Sequence, residues 1–321
     1  MAGKIEFTAG NDDVDLRLDI VLSQHLGITR SAAARLVTQE NVLVDSKGRR
    51  PSFKLKAGMR LQVHVEDEEE PETLKPYDLP LDILYEDAWI IVINKPAGLV
   101  VHPGAGNRDK TLVNALISNY PEISGVGSET RPGIVHRLDK LTSGVMVVAR
   151  SDQAYQTLID AFKEHKHTRV YQGLCYGHMK QSSGRIKTFM QRHPGDRKKM
   201  SSKVEEGREA ITHWEVIEEW PQFSLLKLSL ETGRTHQIRV HLNDIGHPVV
   251  GDAQYGGKRQ ANNVIDPQIR SYVKSLNRQM LHAWMLGITN PGTGEWMEFS
   301  CEIPDDMKRF IEILDEQRSR H

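Results

Sequence analysis

Cysteine is nearly absent: Cys175 and Cys301, far apart, are the whole supply in 321 residues. That excludes a disulfide framework and a CxxC zinc pair, and leaves two buried structural thiols as the simple reading. Net charge is also missing, at −1 with a pI near 6.9, which taken alone argues against a nucleic-acid binder. No stretch offers the ~18 uninterrupted apolar residues of a membrane helix. The opening MAGKIEFTAGNDDVD lacks the basic flank and apolar run of a signal peptide, so a cytoplasmic protein with no membrane partner is expected. Repeats and low-complexity tracts are absent too. What is present, 38% hydrophobic and 26% charged residues, is the make-up of a globular chain, and the length suggests two domains.

The charge is segregated rather than scarce. From Arg17 to Arg60 nine Lys/Arg (Arg17, Arg30, Arg35, Lys47, Arg49, Arg50, Lys54, Lys56, Arg60) face three acids, an excess of six. EDEEEPE, residues 66–72, then carries six acids. Within the basic unit RLDIVLSQHL has the apolar spacing of an amphipathic helix ended by Gly27. Thr29 is a candidate N-cap for RSAAARLVTQ, and NVLVDSKGRR and LQVHVE read as strands around a basic turn. A solvated face normally mixes signs, whereas phosphate binding needs one sign in excess, so this unit reads as a grip for RNA backbone. It resembles the αL (S-four-type) RNA-binding domain, with Arg30, Arg35, Lys47, Arg49 and Arg50 as its expected contacts. Glu66–Pro80 reads as a linker, giving domains 1–75 and 76–321.

Beyond the linker come many short strands and few long helices. DAWIIVINKPAG, VYQGLCYG, THWEVIEEW, SLLKLSL and EWMEFS read as strands, and GIVHRLDKLTSGVMVVAR as strand, charged loop, strand. SDQAYQTLIDAFKEHKHTR is a helix capped by Ser151, with Lys163, Lys166 and Arg169 toward its C-terminal end; a second helix starts at Thr235. This points to an α+β domain on a mixed or antiparallel sheet.

Four constellations could carry chemistry. His136, Arg137, Asp139 and Lys140 interrupt two apolar segments, and Asp139 is the lone carboxylate from Arg131 to Arg150. That suits a nucleophile or single proton acceptor better than a paired-carboxylate glycosidase, although a structural ion-pair cluster is as good a reading from composition. LETGRTHQIRVHL places Arg234 in a tight turn at a helix start, suited to a carboxylate or phosphate, with Arg239 and His241 following. His236, His241 and His247 lack HExxH spacing and an acidic companion, so no metal is expected. Tyr171 lies in a strand, where a lone tyrosine is more often core. Residues 185–203 hold seven Lys/Arg against Asp196 alone, and Pro194-Gly195 makes them an exposed basic finger, with Arg192, Lys198 and Lys199 as RNA contacts.

In order along the chain, NKPAG, VHPG, HRLD with TSG, GRTHQIRVH, HPVVGDAQYGG and RQMLHAW resemble the RNA pseudouridine synthases of the ribosomal large subunit subfamily over nearly the whole chain. The resemblance implies an αL domain followed by a pseudouridine synthase domain that isomerises uridines of large-subunit ribosomal RNA, free or in an assembling particle, without cofactor. It makes Asp139 the catalytic aspartate, by adduct or glycal, and Tyr171 the residue under the uracil that helps remove the C5 proton. Arg234 becomes the basic partner of Asp139, and Arg137, with His136 beside it, holds the RNA around an extruded nucleotide. Leu141 departs from the family pattern, which has an acidic residue there. The physics agrees: the detached base must not escape, so a closed pocket and a flipped nucleotide are required. Two rivals stand: a non-catalytic RNA-binding or ribosome assembly factor, and a base-removing RNA glycosidase.

Overall fold

The computed structural model describes residues 3–28, 30–39, 41–65, 74–104, 106–204 and 206–319. The chain divides into two compact units, Met1–Thr73 and Leu74–His321.

In the first unit, helices Leu18–Leu26 and Arg30–Thr38 pack on a four-stranded sheet of Gly3–Thr8, Arg60–Val65, Val42–Val44 and Lys47–Gly48, in that order. Gly27, in the left-handed region at φ 67°, ends the first helix as its sequence suggests. Leu18, Val21 and Leu22 meet Ala33, Val37, Leu61 and Val63 in one apolar core. The strand Gly3–Thr8, which the sequence reading left out, pairs antiparallel along Arg60–Val65. Thr29, the expected cap, lies outside the described residues, as does most of the acidic stretch, residues 66–73.

The second unit is built on a ten-stranded sheet. Its order runs Met200–Ser201, Ser183–Arg192, Arg208–Trp220, Phe223–Leu230, Thr168–Tyr176, Leu281–Thr289, Ser143–Ala149, Ile90–Lys95, Ile83–Glu86, and Trp296–Ser300 adds to Leu281–Thr289. Pairing is antiparallel except where Leu281–Thr289 meets Ser143–Ala149. There Gly144, at φ +119°, lets the backbones touch: a Cβ would stand 2.2 Å from the carbonyl oxygen of Ala283. Every residue of Ser143–Ala149 is buried, as a central strand covered on both faces must be.

Three expectations need correction. Residues 74–80 are not linker: Tyr77 N donates to Asn114 O (3.0 Å) and Asn114 Nδ2 to Lys75 O (2.8 Å), binding them to helix Leu112–Asn119. The apolar residues before HRLD are not a strand but a buried loop with a single bridge, Ile134 to Val148. Arg169 is not at a helix end. The helix stops at Lys163, the chain reverses through His165 in the left-handed region (φ 59°), and Arg169 enters strand Thr168–Tyr176.

Candidate active site

Asp139 sits in a tight turn, where Thr142 N donates to its carbonyl (3.1 Å), just ahead of the buried strand Ser143–Ala149. A fully buried lysine fixes that turn to the NKPAG loop. Lys95 Nζ donates to Pro96 O (2.8 Å), Leu99 O (2.9 Å) and Lys140 O (3.3 Å), and Gly98 N donates to Lys140 O (2.8 Å). Burial pushes the Lys95 ammonium down to about 7, against the pull of the Asp139 charge. Two loops far apart in sequence thus share one cation.

The guanidinium that meets Asp139 belongs to Arg239, on helix Gln237–Asp244. Its Nη1 donates to Asp139 Oδ2 at 2.9 Å. Its Nε and Nη2 grip the fully buried Asp252 at 2.6 and 3.0 Å, and Nη2 also reaches Gln254 Oε1 at 2.8 Å. Burial opposes the charge of Arg239, but Asp252 and Asp139 outweigh it and hold its pKa above the ordinary arginine value. The helix is itself pinned: Gln237 Oε1 accepts from Thr232 Oγ1 (2.8 Å) and Arg234 N (2.9 Å), while its Nε2 donates to Ile211 O (2.9 Å).

On the other side of Asp139, His236 caps this helix with a non-glycine left-handed backbone (φ 58°), the kind of strain that persists where surroundings over-determine it. Tyr255 Oη accepts from Met200 N (2.8 Å) and shares a hydrogen bond with His236 Nδ1 (2.7 Å). Burial lowers the His236 pKa against the pull of Asp139, and its Nε2 stands 3.9 Å from Asp139 Oδ1. The two carboxylate oxygens differ: Oδ2 accepts from Arg239, while Oδ1 stands 3.9 Å from His236 Nε2.

Two cavities meet at Asp139. A narrow one is lined by Tyr171, Arg169, Arg234, Gly233 and Leu281; a wider one, about 430 Å³, by His102, Arg137, Lys140, His236 and Gln254. Tyr171 is 8% exposed, paired in register with Leu228 and Ala283 in the middle of the sheet, and burial raises its phenol pKa. It is at once a core residue and a cavity wall.

The expected residues are distributed as follows. Asp139, Tyr171, Arg137 and Arg234 come together around the narrow cavity. Arg234 does not pair with Asp139; it precedes the helix and its Nε donates to Glu209 O (3.0 Å), while Arg239, in the first turn of helix Gln237–Asp244, meets the carboxylate. His136 is half-buried: its Nε2 accepts from Val147 N (3.0 Å), its ring stacks on Phe162, and burial drives its pKa down to about 3. Arg192 and Lys198 are exposed on a turn built by His193, whose Nδ1 accepts from Gly195 N and Asp196 N, while Lys199 stands 3.7 Å from Asp196. In the first unit Lys47 and Arg50 are exposed, Arg30 is paired to Asp19 (3.2 Å), and Arg49 lies over the Phe53 ring (4.7 Å). The side chain of Arg35 lies outside the described residues. Asp252, Arg169, Lys95 and the role of Arg239 escaped sequence reading; the pairing of Arg239 with a carboxylate 100 residues away has no local signal.

The comparisons with known proteins identify the family. Residues 89–244 match the family model described as RNA pseudouridylate synthase, and residues 16–61 match the S4 domain. The "Uncharacterized RNA pseudouridine synthase" of Aquifex aeolicus is 42% identical over 304 residues, 94% of each chain. "Ribosomal large subunit pseudouridine synthase D" of Escherichia coli K12 is 41% identical over 318 residues, 98% of this chain and 96% of its own. Among solved structures, "Human RNA Pseudouridylate Synthase Domain Containing 1" aligns with a TM-score of 0.53 at 26% identity, covering 74% of this chain and 95% of that one. With an S4 domain leading, and a carboxylate held by Arg239 beside a buried tyrosine, the chain belongs to the RNA pseudouridine synthases, in their RluA family.

Proposed function

We propose that this enzyme isomerises specific uridines of large-subunit ribosomal RNA, free or in an assembling particle, with Asp139 as the group that acts on the sugar. The observation that carries this reading is the one carboxylate lining the cavity, bound through Oδ2 to an arginine that also grips Asp252, with a buried tyrosine in the same wall. Uridine isomerisation breaks the N-glycosidic bond, turns the base and joins C5 to the sugar. A target base inside a duplex cannot reach a carboxylate recessed in a cavity, so the nucleotide is extruded.

Arg239 holds and aims the Asp139 carboxylate, a role for which its grip on Asp252 suits it. Tyr171 supplies the face under the base and stands where the C5 proton is lost. Arg137, exposed at the rim of both cavities, holds the RNA from which the base has left. Arg234 is assigned to the RNA side of the narrow cavity. The basic turn of the S4 domain and the finger at Arg192, Lys198 and Lys199 bind backbone phosphate.

Mapping pseudouridine in large-subunit RNA after incubation with the wild-type protein and with Asp139→Asn tests this. New sites with wild type alone are expected. Conversion by Asp139→Asn would overturn the role of the carboxylate.

A further inference from the structure

The reaction moves a charge as well as a bond. If Asp139 attacks the anomeric carbon, a carboxylate oxygen bonds C1′ and the electron pair of the C1′–N1 bond leaves with the base. If it removes the C2′ proton, that C–H pair becomes the C1′=C2′ double bond, and the C1′–N1 pair again leaves with the base. Either way the carboxylate ends neutral, as ester or acid, and the negative charge appears on uracil, spread over N1, O2 and O4. A site that stabilises only the starting carboxylate would raise the barrier. Arg239 is such a stabiliser, with Nε, Nη1 and Nη2 all engaged by Asp139, Asp252 and Gln254.

A second guanidinium waits in the same cavity without an anion. Arg169 stands two residues before Tyr171 on strand Thr168–Tyr176, so both side chains leave the same face of the sheet. No carboxylate pairs with it among the described residues, and its buried Nε has no hydrogen-bond partner. Its position is nonetheless defined. The guanidinium lies over the Phe162 ring, 5.7 Å from the centroid, and against Gly233, where a Cβ would stand 2.2 Å from Nη1. Gly233 has no positive φ to explain it; the room for Arg169 does. Arg234, its cationic neighbour, is tied to the Glu209 carbonyl. A half-buried cation whose Nε is shielded from water and unpartnered is costly unless an occupant of the cavity completes it.

We propose that Arg169 is a catalytic residue, which hydrogen-bonds a carbonyl oxygen of the uracil lying on Tyr171 and takes up the negative charge that base acquires when its bond to the sugar breaks. Its donors are preorganised toward charge that exists only after bond cleavage, the arrangement that gives electrostatic catalysis its size. A backbone phosphate is the other oxyanion it could meet, but that charge exists before the reaction and the rim cation Arg137 is nearer solvent. The proposal rests on the assignment of this cavity as the reaction site.

The full-length chain is tested in single turnover, with enzyme in excess, on RNA carrying either uridine or 5-fluorouridine at the mapped target. Fluorine withdraws electrons and makes the base a better leaving group. Arg169→Met is expected to slow loss of the N-linked nucleoside by roughly 10²–10³-fold with uridine, to leave RNA affinity within about twofold, and to show a deficit about tenfold smaller with 5-fluorouridine. Gly233→Ala, which displaces the guanidinium and leaves Arg169 in place, is expected to show the same dependence on leaving group. Equal deficits on both substrates, a loss carried by affinity, or no loss would each overturn the proposal. Wild-type activity abolished in Asp139→Asn keeps the assignment of the cavity separate from the fate of this inference.

Discussion

Each unit of this protein has a three-membered ion cluster, one carboxylate between two arginines in the first and one arginine between two carboxylates in the second, and the two differ in what their burial achieves. In the S4 domain Asp19 accepts from Arg17 (2.9 Å) and Arg30 (3.2 Å), whose side chains are 40% and 56% exposed. In the synthase domain Arg239, 6% exposed, joins Asp139 to the fully buried Asp252. In the first the carboxylate is buried and its cations are wet; in the second the cation is buried and one carboxylate opens on a cavity. Exposed pairs of the first kind contribute ~0–1 kcal/mol, whereas breaking a buried pair costs ~3–5 kcal/mol because a charge is stranded. A surface ion pair arranges a face; a buried one arms a group.

The comparison breaks most visibly at Asp139. Replacement by Asn is expected to lower single-turnover conversion by at least ~10⁴-fold while RNA binding persists, measured by pseudouridine mapping and filter binding. Asp252→Ala, which touches no substrate, is expected to strand Arg239 and lower unfolding free energy by ~3–5 kcal/mol in denaturant titration, with activity falling too. In the S4 domain, Lys47→Gln with Arg50→Gln is expected to weaken RNA binding about tenfold at low salt and to reduce the slope of log affinity against log salt by roughly 1 to 2, without altering the rate of bound substrate.

Asp19→Asn carries the smallest effect, ~1 kcal/mol, and sharpens the contrast through pH. Hydrogen bonds from Arg17, opposed by burial, hold the Asp19 carboxyl below its usual range. A depressed carboxyl contributes stability that is present above its ordinary pKa, near 4, and is lost as pH falls through the folded value. Wild type is therefore expected to lose more stability than Asp19→Asn between about pH 5 and 2, read by thermal melts.

What could be read in the sequence follows the range of the interactions involved. The helix at Leu18–Leu26 and its glycine stop, the Ser151 cap, whose Oγ accepts from Ala154 N (3.2 Å), and most strands rest on neighbours within a few residues. The candidate nucleophile was legible because charge between apolar segments is a local anomaly. Its counterion was not: Arg234 and Arg239 both lie in GRTHQIRVH, and only helix geometry decides which faces Asp139. Asp252 had no local signal for the same reason: the acid behind Arg239 comes 113 positions after Asp139. Arg169 was read as helical because cations suit a helix end, but the left-handed turn at His165 cut the helix short and put that cation on the sheet. His136 looked like a surface ligand because a charged loop is normally solvated; here Arg137 and Lys140 are exposed, while the His136 ring stacks on Phe162 and accepts from Val147 N.

The arginine clamp also sets a clock. During synthesis Asp139 leaves the ribosome 100 residues ahead of Arg239, and Asp252 follows later still. Until all three have emerged, the carboxylate has no fixed aim and no counterion. A half-made chain can therefore already display a folded S4 domain while its chemistry is switched off, and competence arrives with the last third of the polypeptide.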